Sequence, residues 1–210
     1  MFKPKLVVSA CLAGEDVRYD GVPVKDLFAL KLCSQVETIS VCPEVSIGLG
    51  VPRDRIILVE EEEPRLYQPA TGRELTGDML SFAERFLKEL PLVDGFLLKA
   101  KSPSCGVSHT KVYKDKEGKE LLGLGEGIFA REVRRRFPHI FVEDELGLKD
   151  RTRRLRFLVG IYTLALFRHR GQASQPKEVK QAVEKLPEKA LVRLAKKLVP
   201  KELLEDDTAS

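Results

Sequence analysis

A chain of 210 residues, 43% hydrophobic and 32% charged, is long enough for one sizeable core and excludes a disordered polymer or a fibrous repeat. No apolar run reaches the length of a membrane span, and the start MFKPKLVVSACLAG reads as a first strand rather than a cleaved leader. The net charge of +4 hides an asymmetry: residues 151–210 hold 14 Lys and Arg against 7 Asp and Glu, and residues 1–150 hold 22 against 25.

Apolar runs of strand length alternate with amphipathic stretches of helix length. Residues 5–10 predict a strand, 24–35 a helix and 37–42 a second strand. In the looser section that follows, RIILVE (55–60) predicts a short strand or hairpin arm. Thr76 is placed to cap a helix over 77–90, whose Leu80, Phe82, Ala83, Phe86, Leu87 and Leu90 make one apolar face, and Pro91 ends it. Residues 95–100 predict the third strand and 107–124 an exposed hairpin centred on KDKEGKE. IFAREVRRRF (128–137) predicts a helix closed by Pro138, and HIFVED (139–144) a fourth strand. This alternation implies an α/β fold, a parallel sheet of about four strands with helices on both faces.

Past residue 150 the alternation stops. RTRRLRFLVGIYTLALFRHR (151–170) reads as one helix, GQASQP as a linker, VKQAVEKL and PEKALVRLAKKLVP as two short helices, and EDDTAS as a frayed end. The expected organisation is an α/β domain over 1–150 and a small basic helical extension over 151–210. That extension suits contact with a polyanion, or equally the charged outer face of a helical appendage.

The cysteines carry the chemical signal. Cys11 follows KLVVSA, Cys42 follows ETISV and Cys105 follows FLLKAKSPS, so each closes an apolar run and enters a loop rich in Gly or Pro. Sites in open parallel sheets lie beyond the carboxyl ends of the strands. Neighbouring strands are about 5 Å apart, so three such cysteines can converge on one point. Cys33, with apolar neighbours inside a helix, reads as core. A chain without signs of secretion implies free thiols or metal ligands in a cytoplasmic setting rather than disulfides. The absence of Asn and the abundance of Lys, Arg and Glu match a heat-adapted composition.

No CxxC spacing of a closed zinc knuckle is present. Three converging thiols fit an iron–sulfur cluster with one iron open, a three-cysteine zinc site with an open position, or a single nucleophilic cysteine with packing neighbours. Glu44, two residues after Cys42, is a candidate acid or base, or else a cap for loop amides. Ser102 and Ser104 flank Pro103 and either donate to a ligand or satisfy the turn. Tyr19 and Asp20 follow the first cysteine loop, where Asp-Gly is foremost a turn signal. Lys99, Lys101 and Arg53 offer positive charge near the strand ends. His109, four residues after Cys105, could serve a thiol or a metal, although no spacing around it supports a triad.

Taken together, SACLAGEDVRYDG, VCPEVSIGLGVPR, TGRELT and LLKAKSPSCG resemble the signature blocks of the bacterial family named domain of unknown function 523, of the thiouracil desulfidase type, over roughly residues 5–150. The resemblance implies a [4Fe-4S] cluster held by Cys11, Cys42 and Cys105. It implies removal of sulfur from a thiolated pyrimidine or its nucleoside without net redox change, with oxygen from water taking the sulfur's place. It further implies acid/base or substrate-orienting roles for Glu44, Ser102 and Asp20; Ser104 and Tyr19 are the candidate substrate contacts. Two stretches depart from the family pattern: CPEVSIGLG lacks a glycine closer to Val45, and VSHTKVYKDKEGKELLGLG is longer and more charged than the family's compact loop. Some relatives carry a second domain and act on 2-thiouridine in RNA. The shorter basic tail here matches no such domain, yet it could bring tRNA to the site through phosphate contacts.

Overall fold

The computed structural model describes residues 2–172 and 175–205. The elements in chain order are β1 (Lys5–Ser9), α1 (Leu27–Gln35), β2 (Glu37–Val41), α2 (Pro43–Ser46), β3 (Ile57–Val59), β4 (Arg65–Gln68), β5 (Arg73–Glu74), α3 (Thr76–Glu89), β6 (Gly95–Leu98), β7 (Thr110–Tyr113) and β8 (Leu121–Gly125). After them come α4 (Ile128–Arg136), β9 (Phe141–Asp144), α5 (Arg151–His169), α6 (Pro176–Lys185) and α7 (Glu188–Leu198). Part of the expected linker (173–174) and most of the expected frayed end (206–210) lie outside the described residues.

The first sheet has the order β2-β1-β6-β9, with every pairing parallel. The middles of its central strands are apolar, as suits strands covered on both sides: Leu6, Val7 and Val8 of β1 and Phe96, Leu97 and Leu98 of β6 are fully buried. Consecutive strand residues point to opposite faces. Phe96 meets the ring of Phe137 just beyond α4, with centroids 5.4 Å apart, whereas a Cβ on Gly95 would reach Ile161 of α5 at 2.8 Å. Helices α4 and α5 therefore cover opposite faces, and the second of them comes from the stretch past residue 150, where the alternation stops. On the first face α3 packs against α4 through Phe82, Phe86 and Phe129. On the second, α5 comes so close that Gly160 has no room for a side chain, since a Cβ there would lie 2.3 Å from the Phe141 ring.

The expected boundary near residue 150 falls at the N-cap of α5, where Asp150 accepts from the Arg153 amide at 2.8 Å. The apolar core runs across it without a break. Arg153 grips Glu143 with two hydrogen bonds of 3.0 and 2.6 Å, and Arg168 reaches Asp94 at 2.7 Å. These two pairs tie α5 to the ends of β9 and β6.

A second sheet, β5-β4-β3-β7-β8, occupies the section that the sequence marks only as a hairpin arm and a hairpin. β3 pairs antiparallel with β4 and parallel with β7, and β7 and β8 form the expected hairpin. Thr76 is not the cap of α3; it stands in the first turn, where its hydroxyl accepts the Leu66 amide of β4 at 2.8 Å. That bond ties the second sheet to the helix, a long-range use that a local capping rule does not detect. Fully buried Met79 is also part of the α3 apolar face.

Candidate active site

In the first sheet the chain leaves β1 for β2 on one side, and the next strand to join, β6, lies on the other. A crevice opens where strand order reverses in this way, beyond the carboxyl ends. Cys11 lies two residues past β1 and Cys42 directly follows β2, while Cys105 is carried on the loop that leaves β6. All three are free thiols, and all three line one cavity of about 620 Å³. Among the described residues no three His, Cys, Asp or Glu side chains close on a single metal ion. A polynuclear cluster, by contrast, spreads its protein ligands over separate irons.

The loop carrying Cys105 is held from below. Ser102 Oγ accepts the amides of Ser104 and Cys105 at 3.2 and 3.1 Å. The start of α4 then takes up the loop carbonyls: Ile128 N donates to Pro103 O and Ala130 N to Ser104 O, both at 3.1 Å. Only glycine fits at 127, because a Cβ there would lie 2.5 Å from Ser104 O. Lys101 pays a conformational cost in the same loop, with a φ of 62°.

Electrostatics ties the thiols together. Burial pushes the Cys11 thiol from its ordinary 9.0 up to about 12, with the Lys99 charge opposing and the negative charges of Cys42, Glu145 and Glu44 adding. Burial also pushes Cys105 well up, against a hydrogen bond from Ser9, and Cys11, Glu44 and Cys42 add to the shift. Cys42 is raised by burial as well, partly offset by a hydrogen bond from the Val45 amide. Each thiol thus senses its neighbours, and a metal that takes up their sulfurs must displace their protons.

Glu44 is the acidic group nearest the thiols that also lines the cavity. Its Oε2 accepts Nε and Nη2 of Arg53 at 3.0 and 2.7 Å, and its Oε1 accepts the hydroxyls of Ser104 at 3.1 Å and Ser102 at 3.4 Å. Arg53, whose side chain is 6% exposed, also donates to the carbonyls of Val17 and Gly50. A guanidinium fork presents this two-toothed geometry, which a lysine could not reproduce. Ser104 is fully buried behind Glu44 and does not line the cavity. Tyr19 does line it, with the Arg18 guanidinium 5.8 Å from its ring centre. Asp20 lies outside the lining, in an exposed turn, where it pairs with Arg18 at 2.8 Å and accepts the Val22 amide. His109 is at the rim, with Nδ1 against the Ser108 hydroxyl. Cys33 is half-buried against the main core, away from the cavity.

The second sheet supplies the opposite wall, none of which was singled out from the sequence. Ile56, Ile57, Tyr113 and Leu124 give it an apolar surface, and Arg55 and Lys111 stand at its edge. Arg55, Lys101 and Lys111 have no acidic partner among the described residues. The sequence signals for this wall are the strand or hairpin arm expected over RIILVE and the hairpin expected over 107–124.

Residues 6–145, which hold all three thiols and Glu44, match the sequence profile of the 2-thiouracil desulfurase family. The chain belongs to that family. Membership in the desulfurase family makes it an enzyme of the desulfidase type. It is 26% identical over 152 residues to the uncharacterized protein YbbK of Bacillus subtilis (strain 168), covering 68% of this chain and 97% of that protein. Among solved structures it is similar to the [4Fe-4S]-dependent thiouracil desulfidase TudS, at 30% identity and a TM-score of 0.55, over 70% of this chain and 95% of that one. Both relatives end well short of this desulfurase's length. No helix among its described residues is long and apolar enough to cross a membrane.

Proposed function

We propose that this enzyme removes sulfur from a thiolated pyrimidine, 2-thiouracil or thiouridine, with a [4Fe-4S] cluster bound by Cys11, Cys42 and Cys105. The observation that carries this reading is the meeting of three free thiols from three strand ends on one cavity that Glu44 also lines. The residues fit the group: thiolates are the ligands of iron–sulfur clusters, and three donors leave one iron of four without a protein ligand. When bound, the cluster supplies a Lewis-acidic iron with affinity for sulfur.

The chain's own residues do the remaining work. Arg53 occupies Glu44 Oε2 and so directs proton transfer through Oε1, which faces Ser102. Glu44 takes a proton from the attacking water and returns it to the departing sulfur. Ser102 orients the base or the water. Ser104 acts through Glu44, and Asp20 holds the turn that presents Tyr19 to the cavity. Ile56, Tyr113 and Leu124 cover the pyrimidine and limit bulk water.

The unpartnered rim cations Arg55, Lys101 and Lys111 favour a phosphate-bearing form of the base, and RNA is one such form. Most tail cations near the sheet are already engaged, as in the Arg151–Glu188, Arg153–Glu143 and Arg168–Asp94 pairs. Exposed Lys189, Arg193, Lys196 and Lys197 of α7 remain for nonspecific contact with tRNA.

The test is iron and acid-labile sulfide after anaerobic reconstitution, followed by turnover of 2-thiouracil and of thiolated tRNA. About four irons per chain are expected, together with release of sulfide from at least one substrate. A chain that takes up no iron would overturn the reading.

A further inference from the structure

Behind the three thiols lies a polar layer that the proposed chemistry does not call on. Ser9 ends β1, is 2% exposed and lines the same cavity as Cys105; its hydroxyl accepts the Lys99 amide at 2.9 Å. Lys99 follows β6 and brings its ammonium into the cavity wall beside Cys11. There Nζ pairs with Glu145 Oε1 and donates to the Ala100 carbonyl at 3.0 Å. Glu145, 7% exposed, accepts the Ala100 amide on its other oxygen at 2.7 Å. Three adjacent strands, β1, β6 and β9, thus each supply one member at or just past their carboxyl ends.

A Lys–Glu pair whose carboxylate is buried and whose ammonium is half-buried adds little stability, because desolvation offsets much of its attraction. A cation kept at that place gains most when negative charge gathers beside it. Three cysteines bound to iron as thiolates bring such charge to within reach of Lys99. Hydrogen bonds to ligand sulfurs and nearby charges tune iron–sulfur clusters.

On the basis of the proposed cluster, we infer that Lys99, held by Glu145 and aligned through Ser9, is a positioning residue that sets the electrostatic potential at the cluster. Lys99 and the Ser9 hydroxyl stabilise the more reduced state, while Glu145 fixes Lys99 and partly counters its charge. This bias resists oxidative loss of a cluster whose chemistry needs no change of oxidation state.

The experiment is the midpoint potential of the reconstituted full-length protein, with iron content measured in parallel. Lys99→Met and Ser9→Ala should each shift the potential to more negative values. Glu145→Gln, which can still accept the Ala100 amide, should shift it to more positive values, and Lys99→Arg should return it close to wild type. Potentials that stay unchanged, or that move in the same direction for Ser9→Ala and Glu145→Gln, overturn the inference while leaving the desulfidase reading intact. Those two variants also decide the matter if Lys99→Met takes up no cluster. Failure of the wild-type chain to load iron overturns the desulfidase reading and this inference with it.

Discussion

The two sheets that bound the cavity are built on different terms. The parallel sheet has the middles of its central strands buried on both faces, with Cys11 and Cys42 one or two residues past strand ends and Cys105 on the loop that leaves β6. The mixed sheet is made of strands of two to five residues, and its outer strand β8 leaves Leu121 52% and Leu124 61% exposed. The first arrangement fixes atoms. The second shapes a surface, and it carries the stretch that departs most from the family pattern. On the proposed reading, chemistry is placed where the backbone has least freedom, and recognition where side chains can change at little cost to the core.

This division can be broken first at the thiols. Cys11→Ala, Cys42→Ala and Cys105→Ala should each abolish binding of a full cluster, whereas Cys33→Ala should keep about four irons per chain. Iron analysis separates these outcomes, and a full cluster in any of the first three removes that cysteine from the ligand set. Glu44→Gln should retain the cluster and lower turnover by about 10²–10⁴-fold, the usual range for a general acid or base. Wild-type turnover in this variant would transfer the proton-handling role elsewhere.

Further from the chemistry, smaller effects are expected. Gly127→Ala forces a Cβ against Ser104 O and should cost about 1–3 kcal/mol, the usual penalty for overpacking, measured as a fall in the denaturation midpoint. On the mixed sheet, the double change of Arg55→Ala and Lys111→Ala should raise KM several-fold for a phosphate-bearing substrate, with kcat and the bare base unaffected. Equal losses on both substrates would mean that this wall also arranges the reacting atoms. Leu122→Ser, at an exposed site on β8, should change stability by no more than about 0.5 kcal/mol.

What the sequence revealed follows the same division. Parallel strands announce themselves as apolar runs, and the rule that sites gather at their carboxyl ends made Cys11, Cys42 and Cys105 legible as a group. The α3 and α5 helices were legible because their apolar faces repeat at helical spacing. The mixed sheet was not, because β4 and β5 are only four and two residues long, and pairing rather than periodicity defines them. Partnerships across long separations were equally hidden. Lys99 and Glu145 stand 46 residues apart, and nothing local marks either as the other's counter-ion. Arg53 offered positive charge in the sequence, but only the fold shows it gripping Glu44. Ser9 reads as one more strand residue until its hydroxyl is seen accepting the Lys99 amide at the cavity that Cys105 also lines.

The hydrogen bonds from the start of α4 to the Cys105 loop also impose an order in time. While the chain is being synthesised, Cys11 and Cys42 can reach their strand ends early. The loop that carries the third thiol lacks these two bonds until Ile128 and Ala130 have emerged and turned into helix. A cofactor taken up by all three thiols would therefore meet a finished cradle only after the ribosome has passed α4.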